Sequence, residues 1–219
     1  MIKICNLYDL AHTKAESYLK NYTFPWEALS GLSDFIIELG KKLDSSEFRE
    51  ISPSVWAHVS AKIAPSAQVS GPCIIDKNTE VRHCAFIRGS ALVGENCVVG
   101  NSTELKNTIL FDGVQVPHYN YVGDSILGYK SHMGAGAITS NVKSDKSLVS
   151  VKCGKEVYAT NLKKVGAMIG DFAEVGCNSV LNPGTVLGRN SSVYPLSSVR
   201  GAVPADSIYK NSKEIAKRK

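Results

Sequence analysis

The sequence predicts a mainly β chain wound as a parallel β-helix of hexapeptide repeats, and three observations carry that prediction. Stepping by six from Ile51 gives Ile51, Ala57, Ile63, Val69, Ile75, Val81, Ile87, Val93, Val99, Leu105, Phe111 and Pro117, nearly all large and apolar. Four positions after each of the first nine stands a small or β-branched residue: Val55, Ala61, Ala67, Cys73, Thr79, Ala85, Ala91, Cys97 and Thr103. Both columns resume later, as Ile169, Val175, Leu181, Leu187, Val193 and Val199 beside Ala173, Ser179, Thr185, Ser191, Ser197 and Val203. A period of six suits neither a helix of 3.6 residues per turn nor two-residue alternation. It suits a coil of three short strands, each turning one aliphatic residue inward.

The elements follow in order. Residues 1–50 form an N-terminal helical cap, in which Pro25 opens a helix, Leu29, Leu32, Phe35, Ile36 and Leu39 recur at helical spacing, and Gly40 stops it. The coil spans 51–203. Its frame slips after Pro117, because the next aliphatic-glycine steps are Leu127-Gly128 and Met133-Gly134, placing four extra residues around 118–124. The stretch 141–164 lacks the six-step pattern and reads as a lysine-rich loop ejected from the coil. Residues 204–219 read as a short C-terminal helical tail with a basic end. Both terminal segments serve to cover the open ends of a solenoid.

Composition narrows the function. The 219 residues are 43% hydrophobic and 21% charged, the balance of an ordinary globular chain rather than a disordered or fibrous one. No run of apolar residues is long enough to span a membrane. The N-terminus lacks the apolar stretch and cleavage site of a secretory signal, so a cytoplasmic protein is expected. Its cysteines include no C-x-x-C pair and read as reduced, small apolar residues. The net charge of +5 is concentrated in 141–164, with six lysines against two acids, and in 210–219, with five basic residues against Glu214. That distribution leaves the rest of the chain net negative and is not a nucleic-acid footprint.

Three segments depart from plain repeat composition: Asn101-Ser102-Thr103-Glu104-Leu105-Lys106, Pro117-His118-Tyr119-Asn120-Tyr121-Val122-Gly123-Asp124 and Gly134-Ala135-Gly136-Ala137-Ile138-Thr139-Ser140-Asn141. With these motifs the chain resembles the left-handed β-helix acetyltransferase domain of the bacterial and archaeal bifunctional N-acetylglucosamine-1-phosphate uridylyltransferase/glucosamine-1-phosphate acetyltransferases. The likeness runs from about residue 80 to 203 and more loosely from 51, and Pro25-Trp26-Glu27 is similar to the helix joining the two domains of the archaeal proteins. The uridylyltransferase signature, G-x-G-T-R followed by Pro-Lys, is absent from these residues, so uridylyl transfer is not expected of them.

The resemblance implies an N-acetyltransferase that moves acetyl from acetyl-CoA to the amine of an amino-sugar 1-phosphate. It implies His118 as general base, and an imidazole, which titrates near neutrality, suits the proton an attacking amine must lose. Arg88, Lys106 and Tyr121 match ligands of the sugar phosphate, a dianion suited to a forked guanidinium and a point charge. Lys146 would be a further phosphate ligand. Glu104 would bind the amino group or orient His118, and Asn141 would hold substrate or stabilise the oxyanion. For acetyl-CoA the matching positions are Ala135, Asn141, Val142, Cys177 and Pro195. The chain departs from the family at His132, where a substrate-binding asparagine is usual, at Cys177 for serine and at Pro195 for alanine. The other histidines, His58, His83 and His132, read as structural or surface residues.

A homotrimer with its site between subunits is also implied, the loop 141–164 reaching toward a neighbour, with no metal needed and no nucleic acid or membrane as partner. Two other classes fit the sequence less well. A zinc enzyme of carbonic-anhydrase type needs a close histidine pair, but His118 and His132 stand fourteen residues apart. A non-catalytic solenoid that binds a sugar nucleotide or bridges a partner would have less reason to keep His118, Arg88, Lys106, Tyr121 and Asn141 together.

Overall fold

The computed structural model describes residues 1–218 as a parallel β-solenoid with three faces. The first face stacks short strands from Lys62–Ile63 through Glu80–Val81, Val98–Asn101, Gln115–His118, His132–Met133, Glu174–Val175 and Ser192–Val193 to Ser207–Asn211. The second runs from Gln68–Val69 and Phe86–Ile87 to Ile138–Thr139, Val180–Leu181 and Ser198–Val199, and the third from Val55–His58 and Cys73–Ile75 to Ala167–Ile169, Thr185–Leu187 and Ala202–Val203. Two longer strands, Glu104–Leu110 and Tyr121–Leu127, bend round the corner and belong to both. No described helix is long and apolar enough to cross a membrane.

Left-handed backbone makes the corners. Asn78, Asn96, Asn107, Asp124, Asn178 and Asn190 all have φ between 49° and 56°, a conformation that asparagine and aspartate tolerate better than other non-glycine residues. Between corners the inward column is buried as the six-step pattern predicts, from Ile75 through Val81, Ile87, Val93 and Val99 to Leu105, and the small column Thr79, Ala85, Ala91, Cys97 and Thr103 is buried beside it.

Past Leu105 the frame differs from the sequence expectation. The inward residues are Leu110, Val116, Val122, Leu127, Met133 and Thr139, not Phe111 and Pro117. Nothing is inserted at 118–124. The coil instead shortens by one residue on the side from Leu105 to Leu110 and again from Val122 to Leu127. The corner after Ile87 spends two left-handed residues, Gly89 and Ser90, whereas those after Leu105 and Val122 spend one each, Asn107 and Asp124. Two deletions in a period of six look, to a stepping count, like four added residues.

Three further expectations are corrected. Ile51 is half exposed and lies on Phe48–Ser52, which pairs antiparallel with Val55–His58, so the repeating coil begins at Val55. The C-terminal helix is instead an antiparallel hairpin, Ser207–Asn211 with Glu214–Lys217. Ile208 and Tyr209 continue the ladder of the first face, the Asn211 side chain accepts from the Lys213 N–H at 2.9 Å to make the turn, and the charged Glu214 and Lys217 on the short edge strand discourage further pairing. Lys219 of that predicted tail lies outside the described residues.

The N-terminal segment does contain helices, but it covers a side rather than an end. On the third face the outward residues Ile74, Leu92, Ile109, Ile126, Met168 and Val186 are as buried as the inward ones. Leu7, Leu19, Trp26, Leu32 and Ile36 join them in the same core. Tyr8 donates its hydroxyl to the Ile126 carbonyl at 3.3 Å, and the buried carboxylate of Asp171 accepts the Asp9 and Tyr129 N–H groups at 2.7 and 2.8 Å. Helix Leu32–Gly40 includes Gly40, whose missing side chain admits the Trp56 ring. That close approach, rather than helix termination, explains the glycine.

The lysine-rich insertion leaves the coil after Asn141 and returns at Gly166, closed at its base by the Val165 N–H on the Asn141 carbonyl, 3.0 Å. It carries a hairpin of its own, Ser150–Cys153 with Glu156–Ala159. Val149 and Val151 are buried, the hairpin lies against Gly184 and Gly201 of the same chain, and the Tyr158 ring meets Phe24 at 5.4 Å between centroids.

Candidate active site

One corner of the solenoid sorts the predicted residues into two groups. On the first-face side, His118, Ala135, Cys177 and Pro195 each stand immediately before a corner residue, Tyr119, Gly136, Asn178 and Leu196. Backbone bonds stack them in that order: Gly136 donates to the His118 carbonyl at 3.0 Å, Asn178 to that of Ala135 at 2.8 Å and Leu196 to that of Cys177 at 2.9 Å. Coil geometry therefore turns positions far apart in sequence into one exposed column of small side chains leading to an imidazole.

His118 owes its placement to a neighbour that sequence reasoning passed over. Asn120 is buried; its Oδ1 accepts the His118 N–H at 3.1 Å and its Nδ2 donates to the carbonyls of Gly134 and Ala137 at 2.8 and 3.0 Å. A satisfied buried amide of this kind fixes the backbone on both sides of the corner. The imidazole itself remains exposed.

Beyond the corner, on the outward side of the second face, Glu104 pairs in register with Tyr121, and Lys106 with Gly123. Arg88 sits one coil earlier, where its N–H donates to the Leu105 carbonyl, and its Nη1 meets Glu104 Oε1 at 2.7 Å. The carboxylate of Glu104, hydrogen-bonded to the guanidinium, holds Arg88 charged still more firmly than usual. Glu104 is thus engaged with Arg88, and no hydrogen bond joins it to His118 among the described residues.

The Tyr121 ring folds back over Gly123, whose place a Cβ would contest. This brings its hydroxyl to Asn141, which donates from Nδ2 at 3.2 Å. Desolvation first, then the negative charges of Asp124 and Glu104, push the Tyr121 phenol above its usual range, so it stays protonated. The same Asn141 Nδ2 also donates to Asp124 Oδ2, and Asn107 Nδ2 donates to Asp124 Oδ1 at 2.8 Å. Asp124 is 4% exposed.

Arg88, Glu104, Tyr121 and Asn141 are therefore gathered on one face with Lys106 beside them in register. Val142 and Lys146 are not gathered with them: both are exposed on the first part of the insertion, and Lys146 bonds through its N–H to the Lys143 carbonyl. His132 ion-pairs with Glu174 at 2.9 Å on the first face. Asn107 and Asp124 were missed, although their signal was present as a seventeen-residue spacing continued to Asn141.

No group of three metal-binding side chains converges among the described residues. A groove of about 770 Å³ lies at a different corner, lined by Lys130, Phe172, Glu174, Asn190 and Asp206. None of the predicted residues lines it. The two groups described above form an open surface on a single chain.

Comparison with known proteins gives the lineage. A model of the GMPPB C-terminal domain matches residues 69–165. The bifunctional protein GlmU of Methanococcus aeolicus is 30% identical over 208 residues, covering 86% of this chain and 50% of that protein. That of Methanococcus maripaludis strain C5 is 30% identical over 238 residues, covering 99% of this chain and 53% of its own. The chain thus spans about half the length of these curated relatives. Among solved structures, the acetyltransferase domain of PglB from Neisseria gonorrhoeae in complex with acetyl coenzyme A aligns with 74% of this chain and 56% of its own, at 16% identity and a TM-score of 0.38. The chain is a hexapeptide-repeat β-solenoid homologous to the acetyltransferase region of the bifunctional GlmU proteins.

Proposed function

We propose that the protein is an acetyl-CoA-dependent N-acetyltransferase acting on an amino-sugar 1-phosphate as a cytoplasmic homotrimer. One observation carries the reading: a column of small residues that would take the pantetheine arm leads to His118, one corner away from a cluster suited to a sugar phosphate. The GlmU relatives support the reaction class.

Acetyl transfer needs three things from the chain. The thioester must lie beside the column of Ala135, Cys177 and Pro195, where short side chains leave the coil edge open. The phosphate must be held, and Arg88 with Lys106 supplies a fork and a point charge. The amine must lose a proton as its nitrogen bonds to the carbonyl carbon and the carbon–sulfur bond breaks. His118 takes that proton and returns it to the departing thiolate, a contribution of roughly 10²–10⁴ in rate. Val142 and Lys146 enter through the exposed first part of the insertion, which in a trimer would face a neighbouring subunit while the hairpin that follows stays on its own chain.

The test is release of coenzyme A thiol from acetyl-CoA with glucosamine 1-phosphate, galactosamine 1-phosphate or a UDP-amino sugar, beside His118→Ala. Product is identified by mass, because the protein's own thiols react with the reagent. Turnover with one sugar phosphate that collapses in the variant bears the proposal out. A folded protein that binds acetyl-CoA and sugar phosphate without turnover would instead be a binding solenoid.

A further inference from the structure

Asn141 has two amide hydrogens, and both are committed. One goes to Asp124 Oδ2 and the other to the Tyr121 hydroxyl. An ionised carboxylate only accepts, so Asp124 dictates which end of the Asn141 amide faces it. Asn107 fixes Asp124 from the other side in the same sense, donating Nδ2 at 2.8 Å. The three residues occupy successive coils at the shortened corner, where Asn107 and Asp124 both take left-handed backbone, φ 50° and 49°. The consequence reaches the surface. Asn141 has only its carbonyl oxygen left to offer, and the Tyr121 hydroxyl, already accepting, has its hydrogen left to donate.

Resting on the proposed function, we propose that Asp124, braced by Asn107, is a positioning residue of the acyl-acceptor site. It locks Asn141 and Tyr121 so that they present one hydrogen-bond acceptor and one donor side by side. Such a pair recognises a group that both donates and accepts, as a sugar hydroxyl does, and the acceptor's amine can donate to Asn141 Oδ1. It also removes Asn141 as a stabiliser of the oxyanion, since no N–H remains for that purpose. Burial strengthens the lock: Asp124 is shielded from water, so loss of either asparagine contact leaves a buried lone pair unmet.

Two substitutions separate this role from mere support of the fold. Asp124→Gly removes the carboxylate without straining the left-handed backbone. Asp124→Asn removes only the charge, and rotation of the Asn107 amide lets the new side chain still accept from Asn141. With the full-length protein, Asp124→Gly is expected to lower kcat/KM for the sugar phosphate about tenfold or more while leaving KM for acetyl-CoA unchanged, and Asp124→Asn to recover most of that loss. Independently of turnover, the Tyr121 phenol, read as the ultraviolet titration step missing from Tyr121→Phe, should ionise at lower pH in both variants. Should Asp124→Gly fail to fold, Asn107→Gly carries the same kinetic expectation in weaker form. Unchanged acceptor kinetics together with an unmoved Tyr121 titration would overturn the proposal. A moved titration in a protein without acetyltransfer refutes the assigned reaction and the acceptor role with it, and keeps only the closeness of the Asp124 charge to the Tyr121 phenol.

Discussion

A methyl group at Gly123 would test the acceptor site with little disturbance of the fold. Gly123 faces outward on the second face, and the Tyr121 ring occupies the space its side chain would need: a Cβ there overlaps the hydroxyl and lies 2.7 and 2.9 Å from Cζ and Cε1. Its φ is not left-handed, so alanine is conformationally acceptable and the backbone has no reason to unfold. The ring must therefore swing away. That forfeits the 3.2 Å bond from Asn141, a net contribution of about 0.5–1.5 kcal/mol, and one of similar size from the hydroxyl to the acceptor. The first bond is lost from the free enzyme and the transition state alike, so kcat/KM for the sugar phosphate falls by the second alone, about 0.5–1.5 kcal/mol or roughly 2- to 10-fold. Steady-state kinetics with each substrate varied in turn, alongside Tyr121→Phe, would measure it. KM for acetyl-CoA should stay level, because the small-residue column lies round the corner. A folded Gly123→Ala protein with acceptor kcat/KM within twofold of the parent, or with both substrates affected alike, refutes this placement of Tyr121.

Other perturbations separate chemistry from scaffold. His118→Ala should reduce kcat by roughly 10²–10⁴ with the melting temperature unchanged, since the imidazole is exposed and its backbone is held by Asn120; a loss below tenfold at saturating substrates argues for another base. Ile126→Ala, between the coil and the N-terminal cover, should cost about 2–5 kcal/mol in denaturant unfolding, and a cost below about 1 kcal/mol would mean that the cover does not pack there in solution. Tyr8 is held above its usual 10.0 first by burial and then by the charge of Asp171. A raised native value means that its stabilisation is present below pH 10 and is lost as pH rises through that value. Tyr8→Phe should accordingly be about 1 kcal/mol less stable at pH 7, from the bond to Ile126, yet lose stability less steeply above pH 10. Melting curves from pH 7 to 11 that fall in parallel would contradict the assignment.

The coil was legible because a buried inward position tolerates few residue types. Val81, Val99 and Leu181 stand in the columns predicted for them, and so do their small partners. What escaped depended on contacts that a period cannot encode. The outward positions Leu92 and Met168 read as surface until the helical segment is laid over them, and nothing in Leu29, Leu32 or Ile36 says whether their apolar face meets an end or a side. The C-terminal tail misled for a related reason. Ile208, Tyr209 and Ile215 suit a strand only because the last coil offers Val193 an open ladder beside it. Among the candidate site residues, His118, Arg88 and Tyr121 were singled out through motif resemblance. Asp124 was not, since its role lies in stacking against residues one coil before and one coil after.

The missed residues and the misread frame have a single physical origin. At the corner where the frame shortens, the six-residue side after Ile87 spends two left-handed residues, Gly89 and Ser90. The five-residue sides that follow spend one each, Asn107 and Asp124, and that residue supplies both the left-handed turn and the packing against its neighbours in the stack. Asparagine and aspartate do both, and here their side chains bond along the solenoid axis from Asn107 through Asp124 to Asn141. The third member is also the last residue before the insertion. The step that would have closed a third short side is replaced by 142–165, so the side-chain ladder ends on Asn141, whose amide hydrogens are spent on Asp124 and Tyr121 and whose oxygen meets no side chain among the described residues. A regular side would carry the chain straight round that corner. The irregular one leaves that oxygen beside Tyr121, where an incoming hydroxyl or amine can meet it.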